Sequence, residues 1–252
     1  MKFAQLLFSP TGGTRKVAEA ITGPWEGVVE TLDLTDPAVH SAVFQPEDLV
    51  LIAVPSYGGR VPPLAVQRLE RMQGNGAGCV LVCVYGNRAY EDTLTELQDC
   101  AESRGFHVTA AVAAVAEHSI LHQYAAGRPD RQDTEELKKF SLAVLEKYRQ
   151  GKRELAAALP GNRPYKKAGG SGLVPKAGSG CVGCGLCAKQ CPAQAISPDD
   201  LRKTDGGKCI SCMRCVVQCP QGARKPNGAM VAAAGLALKK ACSVRKECEL
   251  FL

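Results

Sequence analysis

The stretch FSPTGGTRK, residues 8–16, follows directly on the apolar run from Phe3 to Phe8. An apolar run that long reads as a strand, and the strand delivers the chain into a turn holding three hydroxyls and two glycines, with a helical pattern behind it. Gly12 and Gly13 remove side chains where the backbone must turn, so N–H groups can converge on a guest. Ser9, Thr11 and Thr14 add hydroxyl donors, and a helix N-terminus adds roughly half a positive charge. The arrangement suits a phosphate. Without a guest, the same residues make a capped helix start in an α/β fold.

The pattern continues outward from that turn. Strand-like runs are expected at Lys2–Phe8, Val28–Leu34, Asp48–Val54, Gly78–Val84 and Phe106–Ala116, and helices at Thr14–Thr22, Pro63–Met72, Tyr90–Ser103 and Asp133–Arg149. The segments LVLIAV and CVLVCV are almost continuously apolar, as strands covered on both faces require. Strands alternating with helices in this way predict a parallel sheet wrapped by helices on both sides.

The chain changes character near residue 160. Residues 1–159 carry 16 Lys+Arg and 20 Asp+Glu, net −4, whereas residues 160–252 carry 15 and 5, net +10. Three of the 13 cysteines lie before that point and ten after it. Four units are expected: an α/β domain over 1–159, a Pro/Gly/Lys-rich linker over 160–180, a cysteine-rich domain over 181–228, and a helical extension over 229–252. No run approaches the ~18 apolar residues of a membrane span, and the N-terminus lacks the pattern of a signal peptide. So many free cysteines suit a reducing compartment, so a cytoplasmic protein is expected. The basic residues of the second half are scattered without interleaved aromatics, which argues against nucleic acid and favours an acidic protein surface.

CVGCGLCAKQCPAQAI begins at Cys181 and CISCMRCVVQCPQGAR at Cys209, a repeat of 28 residues. Each spells C-x2-C-x2-C-x3-C-P. Zinc sites also use paired C-x2-C units, but four-coordinate zinc explains neither the third cysteine of each triplet nor the Cys-Pro pair. Over about residues 174–226 the chain resembles bacterial-type ferredoxins. The resemblance implies two [4Fe-4S] clusters, the fourth cysteine of each run serving the other cluster. The first set is then Cys181, Cys184, Cys187 and Cys219, and the second Cys209, Cys212, Cys215 and Cys191. The other five cysteines read as ordinary residues, Cys79 and Cys83 sharing a strand face with Leu81.

The turn S-P-T-G-G-T lacks the glycine spacing of a dinucleotide fingerprint and the Lys-Ser/Thr of a P-loop. It is similar to the phosphate loop of flavodoxins, and PSYGGRVPPL from Pro55 and YGNRAYED from Tyr85 follow the third and fourth strands, where that family binds its flavin. This resemblance, over residues 1–150, implies a doubly wound five-stranded sheet of order 2-1-3-4-5 holding FMN. Ser9, Thr11, Gly12, Gly13 and Thr14 would take the phosphate. Ser56, Tyr57, Gly58 and Gly59 would lie along one side of the ring, and Gly86, Asn87, Arg88 and Tyr90 along the other, with Tyr85 or Tyr90 able to stack. A positive charge at Arg88 would ease reduction of the flavin.

Taken whole, the chain resembles flavodoxin–ferredoxin fusion proteins of anaerobic microbes, including at YGNRAYED and AEHSILHQYAAGRPD, where His118 or His122 could cap the flavin. That implies an electron carrier passing electrons between two [4Fe-4S] clusters and FMN, an adaptor between a ferredoxin-type pool and a client oxidoreductase. The alternative is an FMN-dependent reductase acting directly on a small molecule. The linker composition predicts a flexible tether, with the oppositely charged halves docking at the flavin edge. Oligomeric state, potentials and direction of electron flow are not encoded in any motif.

Overall fold

A computed structural model describes all 252 residues. In chain order the elements are β1 (Phe3–Leu7), α1 (Gly13–Thr22), β2 (Val29–Asp33), β3 (Ala42–Val43), β4 (Leu49–Pro55), α2 (Pro63–Leu69), β5 (Met72–Gln73), β6 (Gly78–Tyr85), α3 (Thr93–Glu102), β7 (His107–Val115) and α4 (Arg131–Arg149). The second half adds β8 (Lys176–Ala177), α5 (Leu186–Lys189), α6 (Arg214–Val217), β9 (Arg224–Lys225), α7 (Gly228–Cys242) and β10 (Glu249–Phe251).

The period-2 geometry of strands explains the continuous apolar runs. In β4, Val50, Ile52 and Val54 face one core layer, while Leu49, Leu51 and Ala53 face the other. β6 divides the same way, sending Cys79, Leu81 and Cys83 to the first layer and Val80, Val82 and Val84 to the second. Helices α2 and α3 cover the first face through Leu69, Leu94 and Leu97; α1 and α4 cover the second through Val17, Ile21 and Val144. All these side chains are buried. Removing that much apolar surface from water, at roughly 25 cal/mol per Å2, is the main force holding the sheet.

The large sheet runs β10-β7-β6-β4-β1-β2. Its five long strands are parallel, and counted along the chain they stand in the order 2-1-3-4-5, the flavodoxin-like arrangement. One strand was not expected. The extension over 229–252 is not helical to its end: after α7 the chain returns to the sheet, and β10 pairs antiparallel with β7, Leu250 opposite Val112. The sheet therefore has six strands. Its outer edge belongs to residues more than a hundred positions away in sequence.

The cysteine-rich part is a small unit of two four-residue helices, α5 and α6, and the two-stranded antiparallel ribbon β8–β9. It does not swing free. Arg68 of α2, buried, donates to the Pro192 carbonyl, and Arg214 of α6 donates to the Pro10 carbonyl at 3.3 Å. Tyr124 donates its hydroxyl to Gly235 of α7. The cysteine-rich unit is thus packed on the end of the sheet where β1 delivers its turn.

Candidate functional site

The turn after β1 is shaped by one glycine above all. Gly12 has φ +93°, a left-handed conformation that a side chain disfavours, and its Cβ position faces open space. The Ser9 hydroxyl accepts from the Arg15 amide at 2.9 Å, and Lys16 N–H goes to the Gly12 carbonyl. The amides of Gly12, Gly13 and Thr14 find no acceptor within the chain and lie at the positive end of α1. Orphaned donors around a glycine turn fit a phosphate.

That turn opens into a cavity of about 500 Å3. Thr11, Gly13 and Thr14 line it from the first loop, Ser56, Tyr57 and Gly58 from the second, and Tyr85, Gly86 and Arg88 from the third. Three sequence-distant loops therefore meet at the carboxyl ends of β1, β4 and β6. The second loop is a two-residue turn, Tyr57 and Arg60 exchanging backbone hydrogen bonds around Gly58 and Gly59, both at positive φ. Ser56 and Thr93 bond through their hydroxyls at 2.8 Å. The turn chemistry is flat and backbone-rich, and fits a planar ring system with a phosphate tail.

Other expected residues serve different purposes here. Ser9 and Gly12 shape the turn from behind its wall. Gly59 lies under the Glu91 side chain, where any Cβ would collide. Asn87 is buried away from the cavity: its Nδ2 donates to the Cys242 and Val244 carbonyls and its Oδ1 accepts from the Lys246 amide. Tyr90 packs against Tyr85 at 5.2 Å and turns its hydroxyl to Glu249, lining a different cleft. Arg88 stays at the cavity but is paired in a fork with Glu91, at 2.9 and 3.0 Å, so its charge there is largely offset. Of the two histidines, His118 lines the cavity and His122 pairs with Glu117 outside it. Burial holds the His118 imidazole below its ordinary pKa, and its Nδ1 accepts from the Ile120 and Leu121 amides, which leaves Nε2 as the proton-bearing nitrogen.

The remaining walls come from the second half of the chain: Lys166, Lys167 and Gly169 from the linker region, Ile210 and Ser211 from the second cysteine run, Leu238 from α7. The composition of the linker predicts a tether, but its start is clasped. Asp92, buried, accepts from the Asn162 amide at 2.9 Å, the Asn162 side chain at 3.0 Å and the Lys166 amide at 2.7 Å. Asp99 holds Arg163 and the Tyr165 hydroxyl, and Glu91 holds Lys166. The Lys166 amide keeps Asp92 below the usual carboxylate range, Arg163 does so for Asp99, and Arg88 for Glu91. A carboxylate whose folded pKa is depressed contributes stability that is present above its unfolded value of about 4 and lost as pH falls through the folded value. Hydrogen exchange corrected for intrinsic rates should show the Asn162 and Lys166 amides protected at neutral pH and progressively unprotected as the pH drops below about 4. Protection unchanged across that window would mean the carboxylates do not hold the segment.

The eight expected cysteines gather into two groups. Cys181, Cys184, Cys187 and Cys219 line one small cavity with Leu186 and Leu201. Cys191 lies with Cys209, Cys212 and Cys215, near enough that charge on one disfavours charge on the others. Burial pushes the Cys212 thiol up to about 12 and Cys215 up to about 11. The fourth cysteine of each run has thus crossed to the other group. The repeat is also matched in detail: Cys191 accepts from the Ala195 amide and Cys219 from the Ala223 amide, both at 3.3 Å. No group of His, Cys, Asp and Glu closes on a single metal ion. Two all-sulfur donor sets wrapped in apolar residues fit iron–sulfur clusters.

The second group lies against the three-loop cavity. Ile210 and Ser211 are part of its wall, and the Tyr57 hydroxyl is raised first by burial and then by the neighbouring Cys212. No motif in the sequence signals this contact, or Lys166 at the cavity.

Residues 180–224 match the family described as a 4Fe-4S dicluster domain. No curated protein matches the chain. Among solved structures it is similar to rubredoxin oxygen:oxidoreductase from Desulfovibrio gigas, at 14% identity and TM-score 0.42, over 59% of this chain but only 36% of that one. Flavodoxin 1 from Bacillus cereus matches at 14% identity and TM-score 0.41, over 58% of this chain and 98% of its own. The Streptococcus pneumonia TIGR4 flavodoxin matches at 18% identity and TM-score 0.41, over 57% and 99%. The strand order and the matched cysteine domain define the chain as a flavodoxin-like domain fused to a 4Fe-4S ferredoxin-type domain. No helix is long and apolar enough to cross a membrane.

Proposed function

We propose that the chain is an electron-transfer protein holding FMN in the three-loop cavity and two [4Fe-4S] clusters in the two cysteine groups. It would serve as an adaptor between a ferredoxin-type pool and a client oxidoreductase. The observation that carries this reading is the shared wall: the loop bearing Cys212 also lines the cavity, beside Tyr57. Clusters exchange one electron at a time and FMN one or two, so their pairing supplies a converter between the two kinds of traffic.

The chain's own residues do the rest. Thr11, Thr14 and the free amides of the first turn would hold the phosphate, and the Tyr57 turn would bound the ring. The linker residues Lys166, Lys167 and Gly169 and the side of α7 at Leu238 complete the cavity wall. Holding donor and acceptor in one packed chain replaces a diffusional encounter with an intramolecular step.

Anaerobically purified protein should contain one FMN, about eight iron atoms and as many acid-labile sulfides, as two cubanes require. Quantifying flavin, iron and sulfide on the same sample tests this. Zinc without sulfide would overturn the cluster reading, and a flavin-free chain that binds no added FMN would overturn the cavity reading.

A further inference from the structure

A shift of 28 residues carries the first cysteine run onto the second, and it carries Ile196 onto Arg224. Both side chains are buried, at 3% and 1% exposure. An apolar residue meets the packing need at the first position; at the second, the chain buries a guanidinium instead. A guanidinium cannot shed its proton, so the charge is buried with it.

All of its oxygen partners are neutral. Nη1 donates to the Leu201 carbonyl at 2.7 Å, and Nη2 to the Pro175 carbonyl at 3.2 Å and to the Thr204 hydroxyl. Nε is buried with no partner. Burying a cation without a counter-anion is heavily unfavourable, and neutral carbonyls offset only part of that. The anions at hand are sulfur. Nη1 reaches Cys187 Sγ of the first group at 3.5 Å, and the guanidinium lies near Cys215 of the second. It also lies near Cys219 of the first group and Cys209 of the second.

We infer that Arg224 is the shared counter-cation of the two clusters, lodged between Cys187 and Cys215, and that it draws the reduction potential of both upward. This rests on the cluster assignment above. A cubane held by four thiolates is anionic and gains one more negative charge when it accepts an electron. A fixed cation between two such groups stabilises the reduced state of each. Because the guanidinium is out of contact with water, bulk salt screens the effect little.

The test is a potentiometric titration of the anaerobic holoprotein, reading each cluster by electron paramagnetic resonance. Arg224→Ile places in the second run the residue the first already uses. It should lower both midpoints, while Arg224→Lys, which keeps a charge, should recover part of the shift. Either cluster titrating at its wild-type midpoint in Arg224→Ile would overturn the inference. If Arg224→Ile does not hold its clusters, a semisynthetic chain joined at Cys219 with citrulline at position 224 removes the charge and keeps the shape and N–H groups. Lower midpoints there, or clusters lost there and kept in Arg224→Lys, support the inference; unchanged midpoints overturn it. Iron and sulfide content separates this outcome from failure of the cluster assignment itself, since a wild-type chain lacking sulfide would remove the premise.

Discussion

Cys212→Ala should abolish flavin reduction by a protein electron donor, whereas Cys184→Ala should slow electron entry and leave the last step intact. The two groups are not equivalent with respect to the cavity. Ile210 and Ser211, immediately before Cys212, are part of its wall, and Cys212 neighbours the Tyr57 hydroxyl. Cys184 is exposed, on the loop of the other group. Electrons entering from outside would therefore meet the Cys181–Cys219 cluster first and the Cys212 cluster next to the flavin. A protein donor is too large to enter a cavity of about 500 Å3, so it would deliver electrons through the clusters. Rapid anaerobic mixing with a reduced ferredoxin should resolve cluster bleaching from flavin reduction. Wild-type rates of flavin reduction in Cys212→Ala would eliminate the proposed order. In the wild type, the final step should not depend on protein concentration. It should also resist salt, because Arg68–Pro192 and Arg214–Pro10 are packed contacts rather than long-range attraction.

The parts of this arrangement legible in the sequence are those written in local pattern. LVLIAV and CVLVCV carry the two-faced strands, because both of their alternating sets are apolar. The cysteine runs carry their triplets in a spacing repeated after 28 residues, while the crossing of each fourth cysteine is what the resemblance to ferredoxins implies. Residues whose partners are far along the chain were not legible. Asn87 sits in a loop at the right edge of the sheet for a flavin contact, yet its amide is committed to Cys242, Val244 and Lys246, some 155 residues on. Asp92 looks like any acid at a helix start, and only the fold brings Asn162 and Lys166 onto it. The sixth strand did leave a trace: Cys248, Leu250 and Leu252 alternate with Glu249 and Phe251, and the first three pack on one core layer. A period of two over five residues is too short to distinguish an edge strand from a tail. Comparing the two runs position by position would have singled out Arg224, the place where an otherwise apolar site carries a charge.

Asp133→Ala should destabilise the flavodoxin-like domain by about 3–5 kcal/mol, the cost typical of leaving a buried ion without its partner. Asp133 is fully buried and Arg128 nearly so. The carboxylate accepts from Arg128 Nε at 2.8 Å and from Nη2, and closes the capping box of α4 through the Asp130 amide at 2.9 Å. Arg245 reaches the same carboxylate at 3.0 Å, while Arg128 donates its remaining arm to the Lys246 carbonyl at 2.7 Å. One side chain therefore ties together a helix start, a buried cation and the segment that leads into β10. Without it, the Arg128 charge stays buried and uncompensated, and the tail loses two of its anchors. Urea unfolding followed by circular dichroism should show the loss in stability. Hydrogen exchange should show the amides of Glu249–Phe251 released first, because β10 sits at the sheet edge and depends on that tail. Asp133→Asn keeps the shape and part of the hydrogen bonding, so it should fall between the wild type and Asp133→Ala. A loss under about 1 kcal/mol in Asp133→Ala, the size of an exposed pair, would show that water reaches Arg128 and that the tail is held by β10 alone.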